Sequence, residues 1–134
     1  MNQNHFTFKE LIGSSTATKL GINNVPDKYE FISLAALCTN ILEPARAWWC
    51  NILFVNSGYR CEALNKAVGG VSSSQHVKGE AVDITTGATQ GNIKLFNWMK
   101  LNLNYDQLIL EKGGRWIHVS YVVGGKCRNQ CLFT

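Results

Sequence analysis

The stretch 72-SSSQHVKGEAVDITT-86 decides how the rest of the chain is read. Its second half, "EAVDIT", is a strand pattern: Val82 and Ile84 form one apolar set, while Ala81, Asp83 and Thr85 point the opposite way. An aspartate among strong strand formers is costly to bury without a partner, so Asp83 calls for a hydrogen-bond network or a metal ion. His76 precedes Gly79, and a glycine lets the chain turn tightly enough to fold His76 back over the start of the strand.

Working outward, "NILFVNSGYR" upstream reads as a buried strand ending in a turn at Ser57-Gly58. "CEALNKAVGG" reads as a short helix stopped by Gly69-Gly70. Further upstream, "FTFKELIGSSTATKLGI" is a short helix followed by a Ser/Thr-rich loop. "PDKYEFISLAALCTNILEPARAWWC" is the longest helical stretch, with Asp27 as a cap and Ile32, Ala35, Ala36 and Leu42 on one side. Pro44 should end or kink that helix, because it lacks an N–H and its ring clashes with the preceding turn. The pair Trp48-Trp49 is expected in the core.

Downstream, "ATQGNIKLFNWMKLNL" places Leu95, Phe96, Met99 and Leu103 on one helical arc. Two β-rich runs, "YDQLILE" and "RWIHVSY", flank Lys112-Gly113-Gly114-Arg115 and predict a hairpin. "KCRNQCLFT" predicts a terminal strand. The order of elements predicts an α+β fold in a single domain spanning 1–134, with helices on one side of a mostly antiparallel sheet.

The hairpin makes a sharper prediction. A two-residue Gly113-Gly114 turn sets Lys112 opposite Arg115, Glu111 opposite Trp116 and Ile109 opposite His118. Opposed residues share a face, so Glu111 lies diagonal to His118, with their backbones about 7–8 Å apart. A one-residue slip would send one of the two to the other face.

Bulk properties narrow the function. The chain has 134 residues, 46% hydrophobic and 16% charged, which suits one compact globular domain. No apolar run approaches the ~20 residues that cross a bilayer. The N-terminal "MNQNHFTFKELIG" lacks a basic stretch followed by an apolar core, so synthesis in the cytosol is expected, with release by a partner or by lysis. A net charge of +4 suits an anionic partner such as a cell-wall polymer and is too small to point to nucleic acid. Cys38, Cys50, Cys61, Cys127 and Cys131 are an odd set without a CxxC pair, which fits reduced thiols.

The residues also carry a resemblance. "SQHVKGEAVDI" matches the pattern Ser-x-His-x-x-Gly-x-Ala-x-Asp at Ser74, His76, Gly79, Ala81 and Asp83. "WIHVS", Trp116 to Ser120, resembles a second zinc motif, and "SGYR", Ser57 to Arg60, a substrate-side turn. Together they resemble the M15 family of zinc D-Ala-D-Ala carboxypeptidase-type peptidases, whose fold is shared by the hedgehog signalling domain. That resemblance implies one Zn²⁺ per chain held by His76, Asp83 and His118, with a fourth position open for water. It further implies that Arg60 holds a substrate carboxylate or steadies an oxyanion, and that Ser74 supports His76. Some members carry the catalytic base three residues before the final histidine; here that residue is Arg115, which cannot serve. Glu111 matches the alternative arrangement and is the expected general base, with Asp106 as a fallback and Glu80 on the wrong face. The expected activity is hydrolysis of a peptidoglycan stem peptide by a monomer, as in a phage or prophage lysis enzyme. A non-catalytic, zinc-stabilised wall-binding or virion module is the alternative.

Overall fold

A computed structural model describes residues 5–134. Two short helices open it, α1 (Phe8–Ile12) and α2 (Ser15–Leu20). Thr7 and Glu10 cap α1 reciprocally, and Ser14 caps α2, so both start where a side-chain oxygen can accept an orphan N–H. Next comes α3 (Lys28–Leu37), capped by Asp27 as the sequence predicts, with Glu30 completing the box.

Pro44 acts less abruptly than expected. The chain widens into a π-turn, Cys38–Leu42, and then resumes as α4 (Glu43–Trp49), with Pro44 in its first turn. The wider turn lets the Glu43 N–H reach Cys38 O, while the missing N–H of Pro44 falls where the new helix begins. The predicted stripe also shifts. Leu34, Leu37, Ile41, Leu42 and Ala45 are buried, whereas Ile32 is 53% exposed. "FISLAAL" is apolar nearly all round, so periodicity alone could not choose the buried side. Trp49 packs against the core, but Trp48 lies at the surface, stacked on Trp98 at 5.1 Å.

The five strands are β1 (Phe54–Ser57), β2 (Ala81–Thr85), β3 (Gln107–Glu111), β4 (Trp116–Ser120) and β5 (Gln130–Phe133). Between β1 and β2 lie α5 (Glu62–Ala67) and a 3-10 turn, Gln75–Lys78; α6 (Thr89–Asn102) joins β2 to β3. The sheet order is β1-β2-β4-β3-β5, antiparallel except for the parallel β3–β5 pair. This is the α+β class expected.

One sheet face carries Val82, Ile84, Leu108, Ile117 and Val119, all fully buried against Leu34, Leu37, Ile41, Leu95 and Met99 of the helices. Each such Leu, Ile or Val stabilises the fold by about 1.5–3 kcal/mol relative to leaving it in water. Alternation then sends Asp83 and His118, which face each other across β2 and β4, to the opposite side. No helix among the described residues is long and apolar enough to cross a membrane.

Candidate metal centre

The hairpin has the predicted register: Glu111 pairs with Trp116, and Ile109 with His118. Its turn differs. Lys112, Gly113 and Gly114 all have positive φ, and the N–H groups of Gly114 and Arg115 both donate to Glu111 O. The loop therefore has four residues, Lys112–Arg115, and keeps the parity that a two-residue turn would give. Buried Asn92 of α6 fastens it, donating from Nδ2 to Gly114 O at 2.9 Å and Arg115 O at 3.1 Å. Its Oδ1 accepts from Thr86 N–H at 2.7 Å, so one amide ties the hairpin to the end of β2.

Three side chains meet on the sheet face away from the core. Asp83 comes from the middle of β2, His118 from the middle of β4, and His76 from the 3-10 turn folded over them. One potential ligand atom from each lies within 4.8 Å of the others. His118 Nδ1 stands 2.9 Å from Asp83 Oδ1, and His76 Nε2 stands 3.4 Å from Asp83 Oδ2. His76 Nδ1 donates to Gly58 O at 2.7 Å, which fixes the orientation of the ring and presents Nε2 to Asp83. Gly79 ends the turn in the left-handed region, φ 73°, as the backbone reversal requires. Gly58 has its own reason to be glycine: a Cβ there would overlap Leu11 O.

The donor set fits zinc. A tetrahedral ion with bonds of about 2.0–2.2 Å needs ligand atoms roughly 3.3–3.5 Å apart. One ligand atom from each of the three side chains lies within 4.8 Å of the others, so modest side-chain rotation reaches that spacing. The His76 side chain is 3% exposed and those of Asp83 and His118 17% and 15%, so solvent reaches the triad mainly on the Asp83–His118 side. Burial pushes the Asp83 carboxyl up, but hydrogen bonds from His118 and His76 outweigh it and hold the group well below the usual carboxylate range. Asp83 is thus ionised and ready to ligate at neutral pH.

Around the triad, Ser74 Oγ accepts from the His76 N–H at 3.2 Å and from Arg60 Nη2 at 3.4 Å. The Arg60 N–H donates to His76 O at 3.1 Å. Burial lowers the Arg60 pKa while the charge of Asp83 raises it, and Arg60 Nε is buried without a partner. Arg60, Ser57 and Asn56 line a cavity of about 210 Å³ with Ser14, Ser15 and Thr16. Gly70 and Ser72 of the "GGVSSS" loop line a second one, about 430 Å³, with Glu62, Asn65 and Lys66.

Glu111 shares the sheet face of His118 but is not part of the three-residue cluster. Its Oε1 accepts from the Thr134 hydroxyl at 3.1 Å. Asp106 is fully engaged elsewhere. It is 2% exposed and accepts from the Arg128 N–H, Nε and Nη2 and from Gln75 Nε2 at 2.8–3.0 Å. A carboxylate so occupied has no free oxygen for a substrate proton, which removes it as a fallback base. Gln75 Nε2 also lies 3.3 Å from Glu80 Oε1, so the turn bearing His76 is braced from both sides. The sequence reading missed Gln75, Asn92, Arg128 and Thr134, whose partners lie 22 to 31 residues away. All five cysteines are free thiols, and none enters the cluster.

The family model described as Peptidase M15 matches residues 4–120. The chain belongs to the M15 peptidases. The match takes in both zinc-type motifs, the Arg60 turn and the whole of β1 to β4. Peptidases of this family are typically zinc-dependent, in keeping with the His76, Asp83 and His118 donor set. Comparison with the curated proteins found no match.

Proposed function

We propose that this M15 peptidase is a zinc-dependent hydrolase of the peptidoglycan stem peptide. The convergence of His76, Asp83 and His118 on one open-sided point carries that reading. Zinc held there would lower the pKa of a water toward ~7 and polarise the scissile carbonyl. Glu111 takes one proton from the attacking water as its oxygen bonds to the carbonyl carbon. Glu111 then delivers that proton to the amide nitrogen as the C–N bond breaks, leaving a carboxylic acid and an amine that ionise to carboxylate and ammonium at neutral pH. Arg60, always charged, holds a substrate carboxylate or the developing oxyanion. Ser74 steadies Arg60 and the His76 backbone.

The net charge of +4 suits an anionic wall polymer. A monomer made in the cytoplasm and released to the wall by lysis, as in a phage or prophage endolysin, fits these features. One observation favours a second reading. Glu111 is bonded to Thr134 and lies outside the cluster, as it could in a zinc-stabilised wall-binding or virion module.

Mass spectrometry of purified peptidoglycan incubated with the zinc-loaded protein separates the two. The proposal expects new amine and carboxyl ends at a stem-peptide bond, and the end group released distinguishes carboxypeptidase from endopeptidase action. Glu111→Gln should bind zinc normally and lose about 10²–10⁴ in turnover. Intact peptidoglycan with the wild type would leave the binding module.

A further inference from the structure

We propose that Gln75, anchored by Asp106, is a positioning residue for His76 and sets how tightly this chain holds zinc; this rests on the reading of His76, Asp83 and His118 as a zinc site. Asp83 and His118 stand opposite each other on paired strands, so the sheet fixes one relative to the other. His76 stands instead on a 3-10 turn of four residues, Gln75–Lys78. So short a turn has little internal hydrogen bonding to hold it. Its outside contacts therefore decide how often the third ligand is in place when an ion arrives.

The Arg60 N–H and the Gly58 carbonyl both reach His76 from the turn after β1. Gln75 supplies the side-chain tie toward β4. Its Nε2 carries two protons, and it donates to two carboxylates, Asp106 Oδ2 at 2.9 Å and Glu80 Oε1 at 3.3 Å. Both acceptor residues are pinned at one end of the sheet. The Tyr121 N–H donates to Glu80 O at 2.9 Å, and the Asp106 N–H donates at 2.8 Å to the carbonyl of Ser120, two residues along β4 from His118. The bond from Gln75 to Asp106 thus joins the turn that carries His76 to the strand that carries His118. Asp106 cannot swing away from that bond. It is buried, and Arg128 grips Oδ1 with its backbone N–H and Nε, and Oδ2 with Nη2. Arg128 lies beyond the residues that match the M15 model, so this grip comes from the segment that follows them.

The test titrates Zn²⁺ by calorimetry into metal-free wild type, Gln75→Met and Gly21→Ala, and follows amide hydrogen exchange in the same metal-free proteins. Gln75→Met keeps the length of the side chain and removes both donors. A His76 in place about a tenth of the time binds about tenfold more weakly, and Gln75→Met should lose about that factor in zinc affinity. The N–H groups of Val77, Gly79 and Glu80, which bond within the turn, should exchange several-fold faster in it, while those of β4 keep wild-type rates. Gly21→Ala costs stability at the end of α2, where a Cβ meets nothing within 4 Å, and should bind zinc as wild type does. Wild-type affinity in Gln75→Met would overturn the proposal. So would an equal loss in Gly21→Ala, because lowered stability alone would then account for it. If Gln75→Met does not fold, Gln75→Asn, one methylene too short to reach both carboxylates, is held to the same outcomes. The wild-type titration keeps the two claims apart. If wild type binds zinc and Gln75→Met matches it, only the positioning role falls; if wild type binds none, the zinc site falls and the positioning role with it.

Discussion

Gly79→Ala tests the link between the sequence motif and the packing of the site. The φ of 73° at Gly79 is one that an L-residue adopts at a cost of about 1–2 kcal/mol. Gly21, at φ 68°, carries the same backbone cost. The two differ in what a methyl group would meet. Nothing lies within 4 Å of a Cβ at Gly21. At Gly79 the same atom would overlap Glu30 O and stand 3.1 Å and 3.3 Å from the Glu30 carbonyl carbon and Cα. Those are backbone atoms of α3, so the helix or the 3-10 turn must move, and such overpacking adds about 1–3 kcal/mol. Gly21→Ala should therefore cost about 1 kcal/mol and Gly79→Ala about 3 kcal/mol. In urea titrations of the metal-free protein, with an m-value of about 1.5–2 kcal/mol/M, their midpoints should differ by roughly 1 M. Equal midpoints would refute the close approach of α3 to the turn that carries His76.

Other consequences follow from the charges and thiols. Burial, aided by the Glu43 and Glu10 carboxylates, pushes the Cys38 thiol up to about 11, so at pH 8 only about one part in a thousand is thiolate. Iodoacetamide at that pH should label exposed Cys50 and spare Cys38, as peptide mass spectrometry would show; equal labelling would contradict the burial. Arg128's hydrogen bonds, against a smaller opposing effect of burial, hold Asp106 below its ordinary range. A depressed carboxyl stabilises the fold above its unfolded pKa of about 3.9, and that contribution is lost as pH falls through the folded value. Asp106→Asn should lower stability at pH 7 by about 2 kcal/mol, a figure reduced for the exposed side of the Arg128 pair, and flatten the decline below about pH 4. An unchanged acid limb would show that Asp106 does not contribute this way.

The parts of the fold legible in the sequence are those fixed by local period and turn parity. Alternation in "EAVDIT" placed Val82 and Ile84 in the core and Asp83 opposite them. The Gly113-Gly114 signal gave the right pairing of Glu111 with Trp116, even though the turn is longer than expected, because a four-residue loop preserves the same parity. Leu95, Phe96 and Met99 were readable because α6 has a polar face to contrast with them. Where that contrast is missing, as in α3, the buried side was misread, and Ile32 proved exposed while Leu34 is buried. The bracing of the site was not legible at all. Gln75 meets Asp106, Asn92 meets the hairpin carbonyls, and Thr134 meets Glu111 through contacts that depend on tertiary placement, and polar residues in loops give no periodic signal. The motif showed which residues could be ligands; only the fold shows that the Gly58 carbonyl orients His76.

Zinc binding by His76, Asp83 and His118 underlies every catalytic role proposed above. Calorimetric titration of Zn²⁺ into the metal-free protein, wild type beside Asp83→Ala, decides whether they bind it. One zinc per wild-type chain, with affinity falling at least about 100-fold in Asp83→Ala, is the predicted result. No binding to the wild type, or equal binding to both proteins, would contradict it.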